Sequence, residues 1–287
     1  MPNRSLFITW LLMVLVATSA AAEPPTSHRL RITASLPLVL VELTPDDHTW
    51  FAVDTGATGT TIVPDVSERL ALEVTGGARL NTLAGLANTQ IVRLPALRIA
   101  GAVRTHEVQA AVHDLSELRR LAPDAEGILG QDVLATYDYL IDYRRGRLTL
   151  GDFEPPAQGI AMPLSWSAGR PLLHVRGRAS WHALVLDSGA DSLVMNVRSS
   201  RDVVGDVVGA TRSRATLRTH FGEQAVDVEH YGRLQLANLA LSAVAVVRLS
   251  ADVWRLSPES GLLPAVLFDR VYVSARTGRA AVWPRRP

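Results

Sequence analysis

The chain contains no cysteine and no lysine. Without thiols there is no disulfide framework, no thiolate nucleophile and no cysteine-ligated zinc or iron–sulfur centre, so its chemistry must rest on oxygen and nitrogen groups. All 29 basic residues are arginines, nearly balanced by 28 acidic ones. They are scattered, apart from a modest cluster between Arg270 and Arg286 that reads as a solvated hairpin and tail. No basic stripe suited to nucleic acid results, and none is expected as a partner. The eight histidines form no H-E-x-x-H or other ligand-spaced pair, so no metal site is expected. A G-x-S-x-G elbow is also missing, which removes the common serine-hydrolase arrangement.

Long apolar runs are equally scarce. The one that stands out, Leu6 to Val16, follows Arg4 and leads into Ala17-Thr18-Ser19-Ala20-Ala21-Ala22 and then Glu23-Pro24-Pro25. A basic start, a short apolar stretch and small residues describe a signal peptide over 1–22, cleaved near Ala22. About a dozen apolar residues are short for a bilayer span, which leaves a retained anchor as the alternative. The expected location is periplasmic or secreted, with no membrane association after cleavage. At 287 residues the chain can build one large β domain or two of about 130 residues, each with its own core.

Phe51-Ala52-Val53-Asp54-Thr55-Gly56-Ala57-Thr58 returns later as Leu184-Val185-Leu186-Asp187-Ser188-Gly189-Ala190-Asp191. Each copy is an apolar run, read as a buried strand, stopped by an aspartate, a hydroxyl residue and a glycine. One such triplet is an ordinary turn. Two copies in matching surroundings are not.

The agreement extends along the chain. Pro37 precedes Asp54 by 17 positions and Pro171 precedes Asp187 by 16. Each aspartate is delivered by the second strand of a hairpin, the first turning at Thr44-Pro45-Asp46-Asp47-His48. Gly127-Ile128-Leu129-Gly130 lies 73 positions beyond Asp54, and Gly261-Leu262-Leu263-Pro264 begins 74 beyond Asp187. Further hairpins have glycine-bearing tips at Leu83 to Asn88 and at His220-Phe221-Gly222-Glu223. A short helix is expected with Asp65 near its cap and another from Gln131 to Thr136. Trp50 and Trp181 precede the two loops and read as packing residues. The period of about 133 residues is too long for a solenoid and indicates a duplicated domain. With Pro155 to Gly159 as linker, the expected lobes are 23–156 and 157–287.

Two carboxylates from homologous halves meet across a pseudo-two-fold axis, because an isologous contact brings the same element of each partner to the axis. Like charges so close cannot both ionise readily, and the pair shares one proton. One carboxylate can then take a proton from a water while the other protonates a developing oxyanion, with no cofactor. Gly56 and Gly189 let backbone amides approach the carboxylates, and the Thr55 and Ser188 hydroxyls suit a tie between the loops.

These motifs resemble the aspartic endopeptidases, and the resemblance covers nearly all of the mature chain. Alanine after each glycine makes the loops more similar to retroviral-type proteases than to pepsin, so the chain looks like a tandem retropepsin-like protein. The resemblance implies an all-β acid-protease fold: two homologous β-barrel-like lobes related by a pseudo-two-fold, with the active-site cleft between them. It implies Asp54 and Asp187 as the catalytic pair and the Gly85 and Gly222 hairpins, with Phe221, as flaps over an extended polypeptide. It also implies a preference for apolar side chains around the cut. In retroviral relatives the residue matching Asp191 contacts substrate backbone; Thr58 replaces it in the first half.

The chain departs from the family pattern at Pro264, which replaces the last glycine of the second signature. The segment after it is shorter as well: Gly127 to Gly146 is 19 positions, Gly261 to Gly278 only 17. About 14 residues separate the expected cleavage site from Pro37, too few for a long inhibitory propeptide. Control is then expected through substrate access or expression. The expected activity is that of a monomeric aspartic endopeptidase acting on exported polypeptides. Its pH optimum is expected to be less acidic than pepsin's, because Ala57 and Ala190 bring no hydroxyl to the carboxylates. The alternative is a catalytically silent protein that binds extended peptides by strand addition.

Overall fold

A computed structural model describes residues 24–82, 85–99, 103–205, 210–219, 222–249 and 259–285. The expected signal segment and Phe221, an expected flap residue, lie outside them. The chain is mostly β, with short helices.

Strands Leu36–Thr44 and Asp47–Val53 form the first hairpin, pairing Leu38 with Ala52 and Thr44 with Asp47. Leu38, Val39, Val41, Phe51, Ala52 and Val53 are all fully buried. Strands covered on both faces read as continuous apolar runs. Ala125–Leu129 then runs parallel to Asp47–Val53, with Leu129 beside Val53, and antiparallel to Thr61–Ile62. Arg170–Arg176 and Trp181–Asp187 make the later hairpin, pairing Leu172 with Val185 and Arg176 with Trp181. Gly261–Pro264 lies parallel to Trp181–Asp187, with Pro264 beside Asp187, and antiparallel to Leu193–Asn196. Both aspartate-bearing strands therefore have a parallel neighbour drawn from the Gly-Ile/Leu-Leu segment of their own half.

Six strands follow one another in a sheet that both halves share: Ile160–Met162, Arg279–Pro284, Phe268–Ser274, Asp138–Asp142, Arg147–Gly151 and Thr26–Thr33. At the junction Leu140 pairs with Tyr272 and Ile141 with Val271. Through Thr26–Thr33 this array continues into Leu36–Thr44 and on to Val74–Thr82. A second sheet of eight strands runs from Leu164–Ser167 to Thr211–Thr219. Neither closes, so the expected barrel-like lobes are open sheets. The terminal strands of each half are committed to the shared array, and among the described residues the edges Val74–Thr82, Leu164–Ser167 and Thr211–Thr219 have no strand to close on. One hydrophobic cluster crosses both halves, with Phe51, Tyr139 and Phe268 fully buried within it.

The two long hairpins are Val74–Thr82 with Gly85–Leu94 and Thr211–Thr219 with Gly222–Leu236. Their last described pairs are Thr82 with Gly85 and Thr219 with Gly222. Strand pairing runs further than expected, reaching Gly85 inside the expected tip Leu83 to Asn88; Leu83 and Ala84 lie outside the described residues. The first helix, Pro64–Arg69, starts one residue before the expected cap: Val63 holds the N-cap and Asp65 sits in the first turn. Proline at the first helical position has the right φ and no amide to leave unpaired.

Candidate active site

Asp54 directly follows the strand Asp47–Val53, Asp187 ends Trp181–Asp187, and both are buried. The chain then turns at once, and the loops bend back onto their own carboxylates. Asp54 Oδ1 accepts from the amides of Gly56 at 2.8 Å and Ala57 at 3.1 Å. Asp187 Oδ1 accepts from the amide of Gly189 at 2.8 Å. Backbone amides aimed at a carboxylate favour its ionised form.

Each loop also presses on the other's carboxylate. A Cβ placed on Gly56 would fall 2.6 Å from Asp187 Cγ, and one on Gly189 would fall 2.8 Å from Asp54 Oδ2. Only glycine permits this approach. The two carboxyl groups therefore sit in one small space, each under the glycine of the opposite loop.

Thr55 and Ser188 are fully buried and join the loops reciprocally. The Thr55 amide donates to Ser188 Oγ and the Ser188 amide to Thr55 Oγ1, both at 2.9 Å. The hydroxyls in turn donate to the strands opposite, Thr55 Oγ1 to the Leu186 carbonyl at 2.6 Å and Ser188 Oγ to the Val53 carbonyl at 2.7 Å. Four buried hydrogen bonds thus span the halves, leaving no donor of this quartet unpaired.

The first loop has a further support that the sequence did not flag. Gln131 Nε2 donates to the Thr55 carbonyl at 2.9 Å and to Tyr139 Oη at 3.1 Å. Its amide donates to the Ala57 carbonyl, and the Asp132 amide to that of Thr58. The Asp132 carboxylate accepts from both the amide and the hydroxyl of Thr60 at 2.9 Å. Burial raises the Asp132 carboxyl above its ordinary value against the pull of these bonds. Their signal in the sequence is position, directly after the Gly127–Gly130 signature. Tyr143 is a second unflagged neighbour. Burial raises its hydroxyl, and the charges of Asp187 and Asp54 push it the same way.

The remaining candidates lie further out. Asp191 is exposed and its carboxylate accepts from Ser192 Oγ at 2.8 Å. Gly85 and Gly222 begin the return strands of their hairpins beside tips that are outside the described residues. Trp50 packs partly buried against the core with the Arg31 guanidinium 4.3 Å from its ring centre. Trp181 does not fit the packing expectation: it is 57% exposed at the solvent end of its strand. Among the described residues no group of three or more acidic or histidine side chains is placed to hold a metal.

A mostly β chain with two Asp-Thr/Ser-Gly loops joined in this way is consistent with the acid-protease fold. Residues 41–133 match the family model described as aspartyl protease, a span that includes Asp54-Thr55-Gly56 and Gln131 and stops short of Asp187. The match supports an aspartyl protease of the retropepsin-like family. No curated protein matches the chain.

Proposed function

We propose that the protein is an aspartic endopeptidase that hydrolyses peptide bonds of exported or periplasmic polypeptides with a water activated between Asp54 and Asp187. The observation that carries this reading is the crossed packing of the loops, each glycine over the opposite carboxylate. Two carboxyls in so small a space favour a single shared proton, whichever of them holds it. The ionised member takes a proton from the water as its oxygen attacks the amide carbon. The protonated member gives its proton to the carbonyl oxygen as the tetrahedral centre forms. As the tetrahedral centre collapses, one of its hydroxyls returns a proton to the dyad and becomes the new carbonyl oxygen, the carbon–nitrogen bond breaks and the amine leaves with the dyad's other proton, so one shared proton remains for the next turnover.

We read the chain as two homologous lobes, 23–156 and 157–287, facing each other across a pseudo-two-fold. Support comes from the repeated order of hairpin, Asp-Thr/Ser-Gly loop, long hairpin, Gly-Ile/Leu-Leu strand and final hairpin. One chain then supplies the whole site and works as a monomer. The two long hairpins, with Gly85, Phe221 and Gly222 near their tips, are the flaps, and Asp191 meets the substrate backbone. The alternative, a silent protein that binds extended peptide, draws on the second lobe: Pro264 stands where the first has Gly130, and a single 3-10 turn, Ala265–Leu267, replaces the helix with its Gln131 prop.

Purified mature protein incubated with a diverse peptide mixture from acidic to neutral pH should yield internal cleavages flanked by apolar residues. Asp54→Asn and Asp187→Asn should each abolish them. Saturable peptide binding without cleavage establishes the silent reading instead.

A further inference from the structure

The later hairpin carries a second feature at the end away from Asp187. A pocket of about 420 Å³ is lined by Arg176, Arg178, Arg233, Gln235 and an apolar wall that includes Val204 and Leu234. Its size falls in the range of about 300–1,000 Å³ in which small-molecule sites occur. Trp181, whose partner is Arg176, opens the seven-residue strand that ends at Asp187. At about 3.3 Å per residue this puts the pocket about 20 Å from the dyad.

The three guanidinium groups have no carboxylate partner among the described residues. Arg176 lies 5.9 Å from the ring centre of the exposed Trp181. The Arg178 guanidinium rests on Gly205, over the face where a side chain would stand. Asp202, whose carboxylate packs against the pocket-lining Gly177, is already engaged. Its oxygens accept from the Ala179 amide at 2.7 Å, the Ser180 amide at 3.0 Å and the Ser180 hydroxyl at 2.8 Å, and meet His182 Nε2 at 2.6 Å. Other arginines are held by acids, among them Arg31 by Asp124, Arg69 by Asp47 and Glu126, and Arg248 by Glu229. Three arginines that have no carboxylate partner among the described residues line one concave surface and give it a positive field. Their planar forks match tetrahedral oxyanions, and the space exceeds what a bare phosphate fills.

We propose that this pocket is a binding site for an organic phosphate, separate from the peptide cleft. Arg176, Arg178 and Arg233 hold the phosphate, and Gln235 with the apolar wall takes the organic part. The phosphate can belong to a soluble ester or to a lipid headgroup; the recognising chemistry is the same.

The mature protein is titrated with glycerol 3-phosphate by calorimetry and tryptophan emission, with citrate as the carboxylate control. In parallel it is sedimented with phosphatidylcholine vesicles with and without phosphatidate. Either the soluble ester or the phosphatidate vesicles should bind saturably. Affinity should fall about tenfold in Arg178→Gln and in Arg233→Gln and stay unchanged in Arg279→Gln. Arg233→Gln, on an exposed strand position, decides the matter if Arg178→Gln unsettles Gly205. No binding to either probe, equal binding of citrate, or undiminished binding in Arg233→Gln would overturn the proposal.

Discussion

Thr55 and Ser188 hold each other in both directions, amide to hydroxyl at 2.9 Å each way, and each hydroxyl donates a hydrogen bond to a strand carbonyl of the other half. Neither residue can be truncated without stranding the other's amide in a dry interior. Thr55→Val and Ser188→Ala should each lower stability by about 2–4 kcal/mol, because two hydrogen bonds go and one buried donor is left unpaired. Ser188→Thr keeps the hydroxyl and should recover most of the loss. Urea denaturation of the three variants checks this.

Gly56→Ala and Gly189→Ala test the crossed packing. The new methyl would sit 2.6 Å from Asp187 Cγ in the first case and 2.8 Å from Asp54 Oδ2 in the second. Each carboxylate must move by part of an ångström or more, enough to lower the cleavage rate about 100-fold. Steady-state kinetics on a peptide substrate should show the loss in kcat, with far-ultraviolet circular dichroism unchanged.

Gly130 and Pro264 occupy matching places, yet they should respond differently. A Cβ on Gly130 would lie 2.5 Å from the Gly59 backbone, so Gly130→Ala should cost about 1–3 kcal/mol through overpacking. Pro264, with φ of −62°, sits beside Asp187 in parallel register and leads into the turn Ala265–Leu267. Pro264→Gly should cost about 1 kcal/mol or less, chiefly through the unfolded chain. Thermal or urea denaturation ranks the two.

Asp202 gives a pH signature. Its hydrogen bond with His182, aided by the Ala179 amide, holds the carboxyl well below the ordinary value of 3.8. A depressed folded value means that the unfolded chain binds the proton more readily in the window between the two. The stabilisation is therefore complete above the ordinary value and fades as pH falls below it toward the folded value. Asp202→Asn should melt at a lower temperature than the wild type from pH 7 down to about 4, and the gap should narrow only in stronger acid. Melting curves across pH 2 to 7 follow it. A gap that closes by pH 5 contradicts the assignment.

The pair of loops was legible because its pattern is local and repeated: an apolar run, an aspartate, a hydroxyl residue and a glycine, twice, with matching spacings. Burial on both faces produced the continuous runs at Leu38–Val41 and Leu184–Leu186 that mark the strands. The shared sheet was not legible. Nothing local to Phe268–Ser274 specifies Asp138–Asp142 as its neighbour, since both are apolar strands and their pairing is decided by the packing of the two halves. Open sheets in place of barrels follow from that same pairing. Helix Val197–Val203 was missed although Asn196 caps it by accepting from the Ser199 amide, because the preceding apolar strand masked the change of period. Gln131 reads in sequence as one polar residue at a helix start; its reach to Thr55 depends on tertiary structure. Trp181 was misjudged because hydrophobicity says little about the first residue of a strand, where the chain is still leaving solvent.

The central claim is that Asp54 and Asp187 act as one unit. The direct measurement is kcat/KM for the wild type, Asp54→Asn, Asp187→Asn and the double variant on one peptide substrate at the pH of maximal activity. Each single substitution should lower it by about a thousandfold or more, and the double variant should be no worse than either, because half a dyad has nothing left to lose. Near-wild-type activity in either single variant, or losses that multiply in the double, would contradict the account.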